Sequence, residues 1–124
     1  MPAWYKIDKA YNMVLSTGSG TVTATELLEH QRKLFADPDF DPSFSQLIDF
    51  THVTELDATT DDFRLLANKS KFKHNARRAI LVGTDKAFEL SEVFRTLREN
   101  IGDRGIKSFR TLDDALDWLA RATK

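Results

Sequence analysis

The chain has 124 residues, 41% hydrophobic and 30% charged, with a net charge of −1 and no cysteine. This balance is that of a folded globular protein rather than a disordered one, and it supplies no global field to draw the chain onto nucleic acid or an anionic membrane. The lack of cysteine excludes disulfides, thiol catalysis and thiolate metal sites.

The length fits one domain over residues 1–124, and a chain of this size buries roughly two-thirds of its unfolded surface. The N-terminal segment MPAWYKIDKA has no apolar h-region, and the longest uninterrupted apolar run is AILV at 79–82. Neither a signal peptide nor a membrane span is readable, so a cytoplasmic protein is expected. In chain order, AWYKI (3–7) and AYNMVLST (10–17) flank Asp8-Lys9 and read as a β-hairpin. GSGTVT (18–23) reads as a flexible connection. Thr23 followed by Glu26 is a capping box opening a helix over 24–36, with Leu27, Leu28, Leu34 and Phe35 on one face.

Two prolines in DPDFDPSF (37–44) end that helix, and QLIDF (46–50) is a short buried strand. The stretch DFTHVTELDATTDDF (49–63) then reads as a strand-to-helix loop, leading into a helix over 60–72 with Phe63, Leu66 and Ala67 inward. RRAILVGT (77–84) is continuous and apolar, as a central parallel strand covered on both faces requires. A helix over 85–101 carries Leu90, Val93, Phe94, Leu97 and Ile101 on one stripe, with Gly102 as its C-terminal cap. IKSFR (106–110) is the last strand, and Thr111 caps a final helix with Leu112, Ala115, Leu116 and Leu119 inward. Strand and helix alternate after the hairpin, which predicts an α/β layered fold: a mainly parallel five-stranded sheet with four helices.

Candidate sites are few. Thr59 or Thr60 caps the helix that follows. A phosphate on Thr59 would be favoured by the free amides there, yet Glu55, Asp57, Asp61 and Asp62 surround it. Lys69, Lys71, Lys73, Arg77 and Arg78 read as a solvated cluster matched to the end of the same helix. Asp37, Asp39 and Asp41 have calcium-loop spacing, but position six lacks glycine and position twelve is Ile48, so a polar turn is expected. TGSGT lacks the Gly-Lys-Ser/Thr of a phosphate loop. His30, His52 and His74 are isolated, so no metal and no cofactor are expected. His52, near the carboxyl end of a strand, is the histidine best placed for a ligand. Trp4 and Tyr5 on a terminal strand suit an edge that pairs with a second copy or a partner.

The pattern resembles the STAS domain, the fold of bacterial anti-sigma-factor antagonists, and its SpoIIAA-like relatives. DFTHVTELDATT (49–60) is similar to that family's motif after the third strand, with Asp49, Phe50, Thr51, Val53, Leu56 and Asp57 in register. GTVTATEL (20–27) resembles the approach to its first helix, and SFRTLDDALDWL (108–119) and the DPDF loop resemble an uncharacterised SpoIIAA-like group. The resemblance implies a non-catalytic regulatory domain whose partner is a kinase or an anti-sigma-like protein. It implies Thr59 as phosphoacceptor, with Asp49, Thr51, His52, Asp57 and Thr60 forming the partner or ligand loop. The chain departs from the family's Asp-Ser-Ser-Gly, because Ala58 and Thr59 stand for the serines and Thr60 for the glycine. The alternative within the same fold class is a small-molecule or lipid carrier of the Sec14 type. A third option is an enzyme using Asp49, His52 and Asp57, which requires those groups to converge in a pocket.

Overall fold

The computed structural model describes residues 2–121; Met1 and residues 122–124 of the expected domain lie outside them. The elements are β1 (Ala3–Asp8), β2 (Met13–Thr23), α1 (Ala24–Ala36), β3 (Ser45–Asp57), α2 (Thr60–Lys69), β4 (Arg78–Val82), α3 (Asp85–Glu99), β5 (Ile106–Phe109) and α4 (Leu112–Ala120). The sheet order is β1-β2-β3-β4-β5, with β1 antiparallel to β2 and every other pair parallel. Strands added one after another in one direction, through crossovers of one hand, put their helices on one face. Accordingly α1, α2 and α3 cover one side of the sheet, where Val22, Leu27, Phe50, Phe63, Leu66, Ile80 and Leu90 form the main core. Only α4 covers the other side, where Ala115 and Trp118 pack on Leu47, Ala79 and Leu81.

Every helix begins at a threonine. Thr23, Thr59, Thr84 and Thr111 each accept a hydrogen bond from the third amide of their helix, at Glu26, Asp62, Ala87 and Asp114. All four follow a strand of the parallel set, so the helix N-termini gather at one edge of the sheet, the carboxyl ends of β2–β5.

The hairpin turn and two strands differ from the sequence expectation. β2 begins at Met13 rather than at residue 10, and it runs on through GSGTVT to Thr23 instead of stopping at a flexible connection. β3 runs to Asp57, so most of the expected loop at 49–59 is strand. The reason is a pair of irregularities in the β2–β3 ladder. Thr17 faces Asp49 but Ser19 faces His52, and Gly20 faces Val53 but Thr21 faces Glu55, so β3 carries two extra residues. These bulges space the buried positions Phe50, Val53 and Leu56 three apart, which hides the period of two that marks a strand. The β2 glycines serve this ribbon: a Cβ on Gly18 would lie 2.8 Å from the Phe50 ring, and Gly20 has φ 65°.

Smaller differences follow from packing. α2 stops at Lys69 rather than 72, so that Phe72 turns back into a cluster with Phe35, Phe40 and Ala76. Leu112, Leu116 and Ile101 are exposed rather than inward. Gly102 does take positive φ (94°) just past α3. Asp37 and Asp41 accept the amides of Asp39 and Ser43, which makes DPDFDP a pair of side-chain-closed turns. Tyr5 is half-buried, its hydroxyl donating to Asp37 at 2.7 Å, while Trp4 on the same edge strand is exposed.

Arg78 overturns its expected place in the solvated cluster. It is 2% exposed and sits in the first position of β4. Its Nη2 donates to Asp103 Oδ1 at 2.5 Å and to the Lys73 carbonyl, and its Nε donates to the Ala76 carbonyl. Arg98 of α3 donates to Asp103 Oδ2 at 2.9 Å and to the Ala67 carbonyl near the end of α2. Burial pushes the Asp103 carboxyl up, but Arg78, the Gly105 amide and Arg98 outweigh that and hold it below the usual carboxylate range. Burial pushes the Arg78 guanidinium down, partly offset by Asp103. Gly105 seals the group, since a Cβ there would lie 1.9 Å from the Ala76 carbonyl oxygen.

Two substitutions test this centre. Asp103→Ala leaves two buried guanidinium groups without their anion, and equilibrium urea unfolding is expected to show a loss of about 3–5 kcal/mol. Gly105→Ala is expected to cost about 3 kcal/mol by overpacking, or to leave no folded protein to melt. A near-neutral result for either would mean that the loops around Asp103 rearrange freely.

Candidate functional site

The carboxyl end of β3 carries the residues that sequence singled out. β4 accompanies β3 only as far as the Phe50–Val82 pair, whereas β2 stays paired to Asp57. Residues 51–57 therefore have no strand partner on the side of β4. Thr51, His52, Thr54, Glu55 and Asp57 are exposed along this tail, while Val53 and Leu56 anchor it to the core. Asp49 accepts from the amide and hydroxyl of Thr51 at 3.1 and 2.6 Å, a local turn that shapes the start of the tail.

Thr59, not Thr60, is the cap. Its hydroxyl accepts the Asp62 amide at 3.2 Å and donates to the Asp62 carboxylate at 3.0 Å, and that carboxylate also accepts the Thr59 amide at 2.8 Å. Thr60 is the first residue of α2, and both threonines are exposed. Asp49, Thr51, His52, Asp57, Thr59 and Thr60 thus lie along one strand tail and one helix head. None of the six lines the cavity described next, so the convergence that acid–base chemistry requires of Asp49, His52 and Asp57 is not formed there. Among the described residues no cluster of three metal-ligating side chains occurs, and no helix is long and apolar enough to cross a membrane.

The second feature bears on the carrier alternative, and its lining was not legible in the sequence. Between the α1–α3 layer and the sheet lies a cavity of about 100 Å³. Its walls are largely apolar, with Leu27, Phe50, Phe63, Leu66 and Phe94 among them, but a polar row crosses one side. Gln46 and Arg78 are paired neighbours on β3 and β4, and Gln46 donates to the Ser16 hydroxyl of β2 at 3.0 Å. From α1, His30 reaches the same cavity, its ring edge-on to Tyr5. Among the described residues, two buried side-chain atoms have no hydrogen-bond partner, His30 Nε2 and Arg78 Nη1, and both belong to residues lining this cavity. Burial pushes the His30 imidazole down to about 4, so it is neutral at physiological pH. No sequence pattern marks these groups, because Ser16, His30, Gln46 and Arg78 come from four elements that only the fold assembles.

No family model matches the chain, and no curated protein matches it. Among solved structures it is similar to a protein of the DUF3478 family with a SpoIIAA-like fold from Shewanella loihica PV-4. The identity is 25%, the match covers 94% of this chain and 93% of that one, and the TM-score is 0.57. The chain therefore has the SpoIIAA-like fold that its motifs suggested, with the N-terminal hairpin, five strands and four helices expected of it.

Two outcomes follow for these groups. Thr59→Ala removes the cap of α2 and is expected to cost about 1 kcal/mol in thermal or urea unfolding, with Thr59→Ser nearly neutral. For His30, the unfolded chain takes up a proton near pH 6.5 while the folded chain resists it until about pH 4. The unfolded state binds more protons in that window, so stability falls as pH drops from about 6.5 to 4, by about 3 kcal/mol in all. His30→Phe is expected to flatten this part of the stability–pH curve; an unchanged slope would show that His30 is hydrated in the folded state.

Proposed function

We propose that this chain is a non-catalytic regulatory domain of the STAS type, docking a protein partner on residues 51–62. The observation that supports it is the unpaired, exposed tail of β3 running directly into an exposed helix cap. Such a strip offers backbone donors and acceptors together with a polar, acidic set of side chains. By the family resemblance the partner is a kinase or an anti-sigma-like protein. Thr59 is the candidate phosphoacceptor within this surface. A phosphate on it displaces the Asp62 carboxylate from the cap and takes over the amides at the head of α2. It also adds nearly two negative charges beside Asp57, Asp61 and Asp62, which repels a partner suited to the unmodified surface.

A second reading, a carrier for a small molecule, is favoured by the cavity and its unpartnered polar atoms.

The docking reading is tested by quantitative pull-down from an extract of the native host, with wild type, Thr59→Ser and Thr59→Glu as baits. A specific protein retained by the first two and reduced about tenfold or more on Thr59→Glu is the expected result. Equal retention by all three baits would remove Thr59 from the docking surface.

A further inference from the structure

The buried polar centre and the cavity beside it do not balance in charge. Arg78 and Arg98 bring two cations, and Asp103 is the one carboxylate bonded to them. All three side chains are at most 4% exposed. Asp103 accepts three hydrogen bonds, from Arg78 Nη2, Arg98 Nε and the Gly105 amide. The remaining Arg78 nitrogen, Nη1, is buried and has no partner. A buried donor of a charged group left unpaired is unfavourable unless something supplies the acceptor. The same cavity holds a second unpartnered buried nitrogen on His30, and the rest of its wall is largely hydrocarbon. At about 100 Å³ it is several times larger than the roughly 10–15 Å³ that one water needs.

We propose that this cavity binds a compact carboxylate with an apolar body, its head group on Arg78 Nη1 and His30 Nε2 and its body against Leu27, Phe63 and Leu66. The inference rests on the carrier reading and narrows it to an anionic ligand. The carboxylate supplies the negative charge that Asp103 alone does not, and it accepts from a guanidinium already held rigid by its other three hydrogen bonds. The neutral His30 ring adds a donor without adding charge. Ser16 and Gln46, already bonded to each other, complete the polar row without competing for the anion.

The test is calorimetric titration of the full chain with straight-chain carboxylates from butanoate to decanoate and with benzoate, each set against the alcohol of the same skeleton. At least one acid is expected to bind about tenfold or more tightly than its alcohol, since a charge-assisted hydrogen bond is lost in the alcohol. In Arg78→Lys, which keeps the charge but loses the fork, that preference is expected to disappear. If the variant does not fold, the wild type decides by NMR. The Arg78 guanidinium resonances move on adding the acid and stay in place with the alcohol. Equal affinity for acid and alcohol overturns the anionic head group while leaving the carrier reading in place. No binding by any of these acids or alcohols at millimolar concentration overturns both.

Discussion

The fold turns on a carboxylate with no exposure to solvent. Asp103 lies in the short connection from α3 to β5 and accepts from two arginines that belong to different elements, Arg78 opening β4 and Arg98 closing α3. Each arginine also donates to backbone carbonyls at the ends of helices and loops. Arg98 takes the Ala67 carbonyl in the last turn of α2, and Arg78 takes those of Lys73 and Ala76 in the connection to β4. One buried group therefore holds the end of α2, the end of α3 and the starts of β4 and β5 together. Trp118 of α4 reaches the same place from the opposite face, its indole donating to the Gly105 carbonyl. A well-packed hydrophobic replacement of such a group is often neutral or stabilising in other proteins. The arginines here therefore act less as a source of stability than as a specification of where four elements end.

At the other edge of the sheet the specification is local. The four threonine caps need nothing beyond their own first turns, and two of them, Thr23 and Thr59, are closed reciprocally by Glu26 and Asp62. This division explains what could be read from sequence. Helix starts, the central strand β4 and the alternating order depend on neighbours within four residues and on continuous apolar runs, so they are legible. α1, for example, occupies the residues that its capping box and proline stop define. The long tail of β3 was not legible, because its inward residues repeat every third position through bulges that only the pairing with β2 explains. Arg78 was not legible either. In sequence it is the last of several cations after a helix, and only the distant Asp103 makes it a core residue.

The same division holds for the candidate sites. Thr59 and its acidic neighbours are contiguous, so the surface at 51–62 could be proposed from the sequence, although the choice between Thr59 and Thr60 as cap needed the backbone. The cavity is a property of layers. Ser16, His30, Gln46 and Arg78 come from β2, α1, β3 and β4, and each is unremarkable among its sequence neighbours.

Helix α2 joins the two regions. Its head carries Thr59 and adjoins the proposed docking strip, its inner face supplies Phe63 and Leu66 to the cavity, and its last turn is held by Arg98 through the Ala67 carbonyl. A charge placed at the head strains the cap at Asp62, one residue before Phe63. An occupant of the cavity would contact Phe63 and Leu66, which line it. Ten residues of helix are rigid over that distance, because each turn is tied to the next by backbone hydrogen bonds. A shift of α2 at one end would therefore carry to the other, where Arg98 holds the Ala67 carbonyl. For a shift to couple the two sites, each ligand must prefer one position of α2 over the other. The contacts at the two ends of the helix are different enough in kind, charge at the head and hydrocarbon on the inner face, to supply such a preference independently.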